Sequence, residues 1–179
     1  RFFSHELRAY IDEQLAIENR LRHAIRNKEL AVFYQPKIDT ATEQIVGAEA
    51  LIRWQNKDLG MVPPTIFIPV AEKYGLIEEI GSYVIEEACK EAGRGRERTN
   101  SDIRLAINIS PRQFRSSGFL QIIDRALENS GLAGSRLEIE ITENLLMQDT
   151  HEPLEILNEL LDRNITLSLD DFGTGYSSL

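Results

Sequence analysis

Five short β-rich runs, Ala31 to Gln35, Ile45 to Ile52, Ile103 to Ile109, Leu137 to Thr142 and Ile165 to Asp170, are separated by stretches of helical periodicity. The helical patterns are Thr65 to Tyr74, Ile77/Ile80/Val84/Ala88, Leu120/Ile123/Leu127 and Leu154/Leu157/Leu160/Leu161. Strand, helix, strand in series predicts right-handed crossovers in a mainly parallel sheet. Helix ends are also marked. Ser110-Pro111-Arg112-Gln113 forms a capping box with Pro at the first helical position, Asp149-Thr150-His151-Glu152 a looser one, and Gly131 and Asn164 stand where helices should stop. Gly93 to Asn100, rich in Gly and charge, reads as a solvated turn.

A parallel strand covered by helices on both sides should be apolar on both faces. Three strands here are apolar on one face only. Leu105, Ile107 and Ile109 alternate with Ala106, Asn108 and Ser110; Leu137, Ile139 and Ile141 with Glu138, Glu140 and Thr142; Leu167 and Leu169 with Thr166, Ser168 and Asp170. One face meets helices and the other points into a polar interior, the arrangement of a β/α barrel. Asn108, Glu140 and Asp170 fall at the C-terminal ends of their strands, and Glu49 near the end of Ile45 to Ile52. In such a barrel these ends ring the mouth where active sites are built.

Taken singly, each of these residues also reads as a satisfied polar group lining the barrel. Gathered at one mouth, Glu49, Glu140, Asp170 and the neighbouring Asp171 would resist joint ionisation without counter-charge. Oxygen-only ligands select hard cations such as Mg²⁺, Mn²⁺ or Ca²⁺, and His5, His23 and His151 all fall outside the strand ends, which disfavours zinc. The Asp170-Asp171 pair suits two ions about 3.5–4 Å apart, clamping both oxygens of a phosphoryl displacement. Such ions would also admit a phosphodiester to an acidic chain: 20 Lys and Arg against 29 Asp and Glu leave a net charge of −9, which argues against generic nucleic-acid binding.

The first 28 or so residues are charged, with apolar residues at Leu7, Ile11 and Leu15 and then Ile17, Leu21 and Ile25. Ser4 can cap that helix. It reads either as a connector from an upstream domain, pairing with another copy, or as an amphipathic helix packed on its own domain. No apolar run reaches the roughly 18–20 residues of a membrane span, the start has no signal-peptide layout, and the single Cys89 excludes an internal disulfide. A cytoplasmic location is expected, with no membrane contact from this segment, although the parent protein could be membrane-anchored through another. Because residue 1 is Arg, the sequence reads as part of something longer.

Six segments in order, Tyr34-Gln35-Pro36-Lys37-Ile38, Gly47-Ala48-Glu49-Ala50-Leu51-Ile52-Arg53-Trp54, Phe67 to Glu72, Asn108-Ile109-Ser110, Glu140-Ile141-Thr142-Glu143 and Asp170 to Leu179, strongly resemble the EAL domain family. The resemblance runs from about residue 28 to the end, so residues 1–28 would be the connector helix and 29–179 the barrel domain. It implies a modified TIM barrel that hydrolyses cyclic di-GMP to linear pGpG with Mg²⁺ or Mn²⁺ in bacterial second-messenger signalling. Carried over by position, Glu49, Asn108, Glu140 and Asp170 would hold the first metal, and Asp170 and Asp171 would reach the second. Gln35, Leu51 and Arg53 match substrate-contacting positions. Glu143 matches the residue that steadies the Asp171 to Gly175 loop, which in the family couples the metal site to a dimer interface. A homodimer and an upstream sensory or GGDEF domain in the same polypeptide are implied partners, with no DNA. Asp171-Phe172-Gly173 also matches a kinase metal-binding triplet, but no other kinase motif precedes it.

A β/α barrel takes about 250 residues, so this chain is expected to supply about five of eight strands, leaving an unpaired edge at the strand ending in Asp170. Later strands in the family supply a lysine near the attacking water, a glutamate completing the metal sites and a glutamine at the base. The segment alone is therefore expected to be inactive. The alternative to a phosphodiesterase is a receptor that binds cyclic di-GMP without cleaving it.

Overall fold

The computed structural model describes residues 3–99, 103–142, 145 and 152–170. The looser cap before Glu152, Asn100, Glu143 and the segment Asp171 to Leu179 lie outside the described residues. The chain divides into two units, Arg1–Ala31 with Ile52–Ile80, and Val32–Leu51 with Gly81–Leu179. Two strands run through both: β1 (Leu30–Ile38) and β2 (Ile45–Asn56).

In the first unit α1 (Phe3–Arg26) packs against α2 (Pro64–Tyr74). Leu21 and Ala24 are fully buried, while Leu7, Ile11 and Leu15 are exposed, so the shift between the two apolar stripes separates a packed end from a free one. The helix begins at Phe3, which puts Ser4 inside its first turn and not ahead of it as a cap. Pro63 and Pro64 open α2 without a side-chain cap: Pro63 at the cap has no side-chain acceptor, and Pro64 at the first helical position has no N–H to leave unsatisfied. Gly75 ends it at φ 77°. The buried ring of Trp54 stands edge-on to that of Phe67, centroids 5.6 Å apart, and its indole Nε1 donates to Glu29 Oε2 at 3.2 Å.

The strand β3 (Gly60–Val62) was not expected. It pairs antiparallel with the end of β2, Trp54 opposite Val62 and Asn56 opposite Gly60. Asn56 Oδ1 accepts from the N–H groups of Asp58 and Leu59, and Gly60, where the chain re-enters the ladder, takes φ 69°.

In the second unit the strands follow the order β1-β2-β4-β5-β6, where β4 is Arg104–Ile109, β5 Leu137–Thr142 and β6 Thr166–Asp170. The β2/β4, β4/β5 and β5/β6 pairs are parallel. Leu105, Ile107, Ile109, Leu137, Ile139 and Ile141 are all buried, which places the apolar side of β4 and β5 in the core. Ser110 Oγ accepts from Gln113 N at 3.3 Å, so the capping box opens α4 (Pro111–Phe114) as expected. Next come α5 (Phe119–Ser130), which stops at Gly131 with φ 64°, and α6 (Glu152–Asp162), followed by Asn164 at φ 60°.

The expected turn from Gly93 to Asn100 is helical as far as Thr99, within α3 (Ile77–Thr99). Gly93 is there for space. A Cβ at this position would collide with the Ser130 carbonyl, so the glycine lets α3 approach the end of α5. No helix among the described residues is long and apolar enough to cross a membrane.

Candidate functional site

The polar sides of the strands share one face of the second unit, and the register sets their spacing. Gly47 lies opposite Arg104 and Glu49 opposite Ala106; Ala106 and Asn108 lie opposite Glu138 and Glu140. Glu138, Glu140 and Thr142 lie opposite Thr166, Ser168 and Asp170. Each strand thus turns every second residue to a common surface, whose polar members include Glu49, Asn108, Glu138, Glu140, Thr166 and Ser168.

Glu49 sits in the middle of β2 rather than near its end, because the strand continues to Asn56. Its pairing with β4 nevertheless spans only Gly47 to Ala50, so Glu49 is close to the C-terminal end of the parallel ladder. Asn108 Nδ2 donates to Glu49 Oε1 at 2.7 Å, joining β2 to β4 on this face. The amide's own oxygen stays free of that bond and can accept or coordinate.

Glu140 is engaged by Lys37, which lies in one of the resembling segments but is given no role there. Lys37 Nζ donates to Glu140 Oε1 at 2.5 Å and lies 3.8 Å from Glu138 Oε1. Partial burial disfavours the ammonium, but the hydrogen bond to Glu140 and the charges of Glu140, Glu138 and Glu49 outweigh it, and the Lys37 pKa lies above the ordinary lysine value. The pair joins β1 to β5 across β2 and β4. On a flat sheet that is three strand spacings, about 14 Å, and side chains stand roughly perpendicular to the sheet. Direct contact therefore requires the sheet to curl toward its polar face, as a barrel wall does.

Gly47 lies beside the crossing. A Cβ there would stand 3.6 Å from Lys37 Cβ, 3.7 Å from Lys37 Cδ and 2.9 Å from the Arg104 carbonyl oxygen. The two lysine distances are ordinary van der Waals contacts and the third is a close approach, so the glycine admits the Arg104 backbone while the lysine stem passes alongside. A glycine in β2 and a lysine two residues beyond Gln35, in step with the polar alternation, were the signals that could have found it.

Asp170 ends β6, one polar position beyond Ser168, and is exposed. Gln35 is exposed on β1 and Leu51 half-buried on β2. In the first unit, Arg53 is half-buried and its Nη1 donates to the Ile52 carbonyl at 2.8 Å. The described residues thus bring Glu49 to Asn108 and Glu140 to Lys37, and hold Asp170 on the neighbouring strand; Asp171 and Glu143 lie outside them. Among the described residues no three of His, Cys, Asp and Glu gather closely enough to hold a metal by themselves. The oxygen-only character of Glu49, the Asn108 amide, Glu140 and Asp170 fits a hard divalent cation.

An EAL domain family model matches residues 18–179. The chain is 38% identical over 178 residues to MucR of Pseudomonas aeruginosa, a bifunctional diguanylate cyclase/cyclic di-GMP phosphodiesterase, with 99% of this chain and 26% of MucR covered. It is 34% identical over 179 residues to the cyclic di-GMP phosphodiesterase NbdA of the same organism, covering 100% of this chain and 23% of NbdA. The chain therefore spans about a quarter of the length of these curated relatives. Among solved structures it superposes on the PaMucR phosphodiesterase in complex with c-di-GMP with a TM-score of 0.86 at 37% identity, covering 91% of this chain and 66% of that one. The described sheet is accordingly part of a TIM-barrel-like wall, and the chain belongs to the EAL domain family.

Proposed function

We propose that this chain is part of a cyclic di-GMP phosphodiesterase, which hydrolyses one phosphodiester of the cyclic dinucleotide to give linear pGpG. The observation that carries this reading is the Glu49–Asn108 pair set beside Glu140 and Asp170 at the C-terminal side of a parallel, curled sheet. Glu49, Asn108, Glu140 and Asp170 would hold a first Mg²⁺ or Mn²⁺ ion, and Asp170 with Asp171 a second. When bound, such ions supply Lewis-acid chemistry, lowering the pKa of water and neutralising charge on the phosphate.

The side chains do the rest by position. The Asn108 amide orients the Glu49 carboxylate by donating to Oε1, which fixes the direction of the other oxygen. Arg53, with its fork of donors, would bind a phosphate oxygen and stabilise developing charge there. Gln35 and Leu51 would contact the substrate, and Glu143 would steady the Asp171 to Gly175 loop. The whole protein would work in the cytoplasm as a homodimer, joined through α1 to an upstream sensory or GGDEF domain.

The test is incubation of the full-length protein with cyclic di-GMP and Mn²⁺, followed by chromatography of the nucleotides. Appearance of pGpG that is abolished by chelator supports the reading. Intact cyclic di-GMP in the presence of protein-bound Mn²⁺ overturns it. A receptor that binds without cleaving is the second reading, and one observation favours it: Lys37 Nζ is bonded to Glu140 Oε1, an oxygen that the first ion would need. Nucleotide binding that persists in chelator, with no turnover when metal is restored, would be its signature.

A further inference from the structure

We propose that Lys37 is a tethered counter-ion that competes with a divalent cation for Glu140, and so sets the affinity of the site for metal. The inference rests on the reading of Glu140 as a metal ligand but concerns a residue to which that reading gives no role.

Three features converge on it. The ammonium is already at hydrogen-bond distance from Glu140 Oε1, the oxygen a cation would need. The stem packs alongside Gly47, within van der Waals reach, 3.6 and 3.7 Å, of where a Cβ would stand. A second carboxylate, Glu138, stands 3.8 Å from the ammonium, so the lysine has somewhere to go when Glu140 is taken. Arg104 flanks the other oxygen of Glu138 at 4.0 Å and leaves Glu140 to Lys37. Without an ion, the lysine relieves the repulsion between the two glutamates on one strand face. With an ion present, it yields one oxygen and stays paired through the other glutamate. Lys37 acts through Glu140, so it is a positioning residue.

The test compares Mn²⁺ binding to the full-length protein and to two variants by electron paramagnetic resonance of the free ion. Lys37→Met keeps the stem and removes the charge; Arg104→Met removes a charge from the same face without touching Glu140. Lys37→Met should tighten Mn²⁺ binding by about five- to tenfold, the factor for losing one partly buried competing pair. Arg104→Met should shift it by less than about twofold, because the nearest carboxylate is 4.0 Å away. Melting followed with and without Mn²⁺ gives an independent readout: Lys37→Met should lower the midpoint of the metal-free protein and widen the gain on adding metal. A brace with no competitive role predicts the opposite, unchanged or weaker Mn²⁺ binding in Lys37→Met, and that result overturns the proposal. Equal tightening by both methionine variants also overturns it, since general charge then suffices. If wild type binds Mn²⁺ but leaves cyclic di-GMP intact, the proposed function fails while the affinity ratio still decides the role of Lys37.

Discussion

The two faces of β5 carry different burdens with the same backbone. Leu137, Ile139 and Ile141 are at most 2% exposed, whereas Glu138, Glu140 and Thr142 are half-buried and stand on the polar face. The alternation separates the apolar contacts that hold the sheet together from the polar face that carries the proposed site, one residue at a time. Substitutions on the two faces should therefore fail in different assays. Ile139→Ala breaks the apolar side. Ile139 is fully buried and lies in β5, between β4 and β6, so the lost methyl and methylene groups leave a cavity with little room to collapse. A loss of about 3–4 kcal/mol in urea unfolding is expected, with residual metal affinity unchanged in the fraction that stays folded. A loss below about 1 kcal/mol would mean that β5 is not a core strand.

The same tightness extends to the helices of that unit. Gly93→Val should lower stability by about 2–3 kcal/mol, because the new side chain must displace the Ser130 backbone and not a flexible side chain. A helix-propensity argument predicts the reverse sign, since Gly is the poorer helix former in a helix interior. Thermal melting of this one variant distinguishes a packing glycine from a helix that merely tolerates it.

How much of this was legible in the sequence follows from the range of the forces involved. The alternation in β4, β5 and β6 and the Ser110 cap are local patterns, and the structure has them where the residues imply. The β3 hairpin was missed because three residues carry too little periodicity, although Asn56 and Gly60 bracket a recognisable turn. Gly93 was misread because glycine and charge look like a loop until the partner helix is in place. Lys37 was missed for a deeper reason. Its meaning depends on Glu140, 103 residues away in the chain and reached only when the sheet curls. Pro36 beside it fits a strand at the end of the sheet order, where a missing N–H is tolerated. Glu143 belongs to the resemblance alone, whereas Asp171 was also singled out by its place beside Asp170 at the strand end; both lie outside the described residues.

The polar face should break the other way. Glu140→Gln leaves the core intact and leaves Lys37 with Glu138, so the stability loss should be about 1 kcal/mol or less. Mn²⁺ binding, in contrast, should weaken by about tenfold or more, because an amide oxygen is a poorer ligand than a carboxylate and one negative charge is gone. Isothermal titration of the variant alongside Ile139→Ala separates the faces directly. A Glu140→Gln protein that unfolds as readily as Ile139→Ala would show that the polar face is structural.

The smallest effect concerns a charge pair away from the polar face. Arg163 holds the Asp124 carboxylate with two bonds, Nε to Oδ1 at 2.6 Å and Nη2 to Oδ2 at 3.0 Å, linking α5 to the turn after α6. That hydrogen bonding by Arg163 lowers the Asp124 pKa against a weaker opposing effect of burial. A depressed carboxylate pKa stabilises the folded state above the unfolded value, and the contribution fades as pH falls through the folded value. Since the Asp124 side chain is 51% exposed, water screens the pair and only a few tenths of a kcal/mol are expected. Asp124→Asn should therefore cost that small amount between pH 5 and 7, and the gap to wild type should close below about pH 3.8, where the unfolded chain protonates this group. Raising the salt to about 1 M should shrink it further. The Lys37–Glu140 pair, held in the curl of the sheet, should change less with salt; equal salt sensitivity in matched variants of the two pairs would mean that the polar face is as open to solvent as the helices outside it.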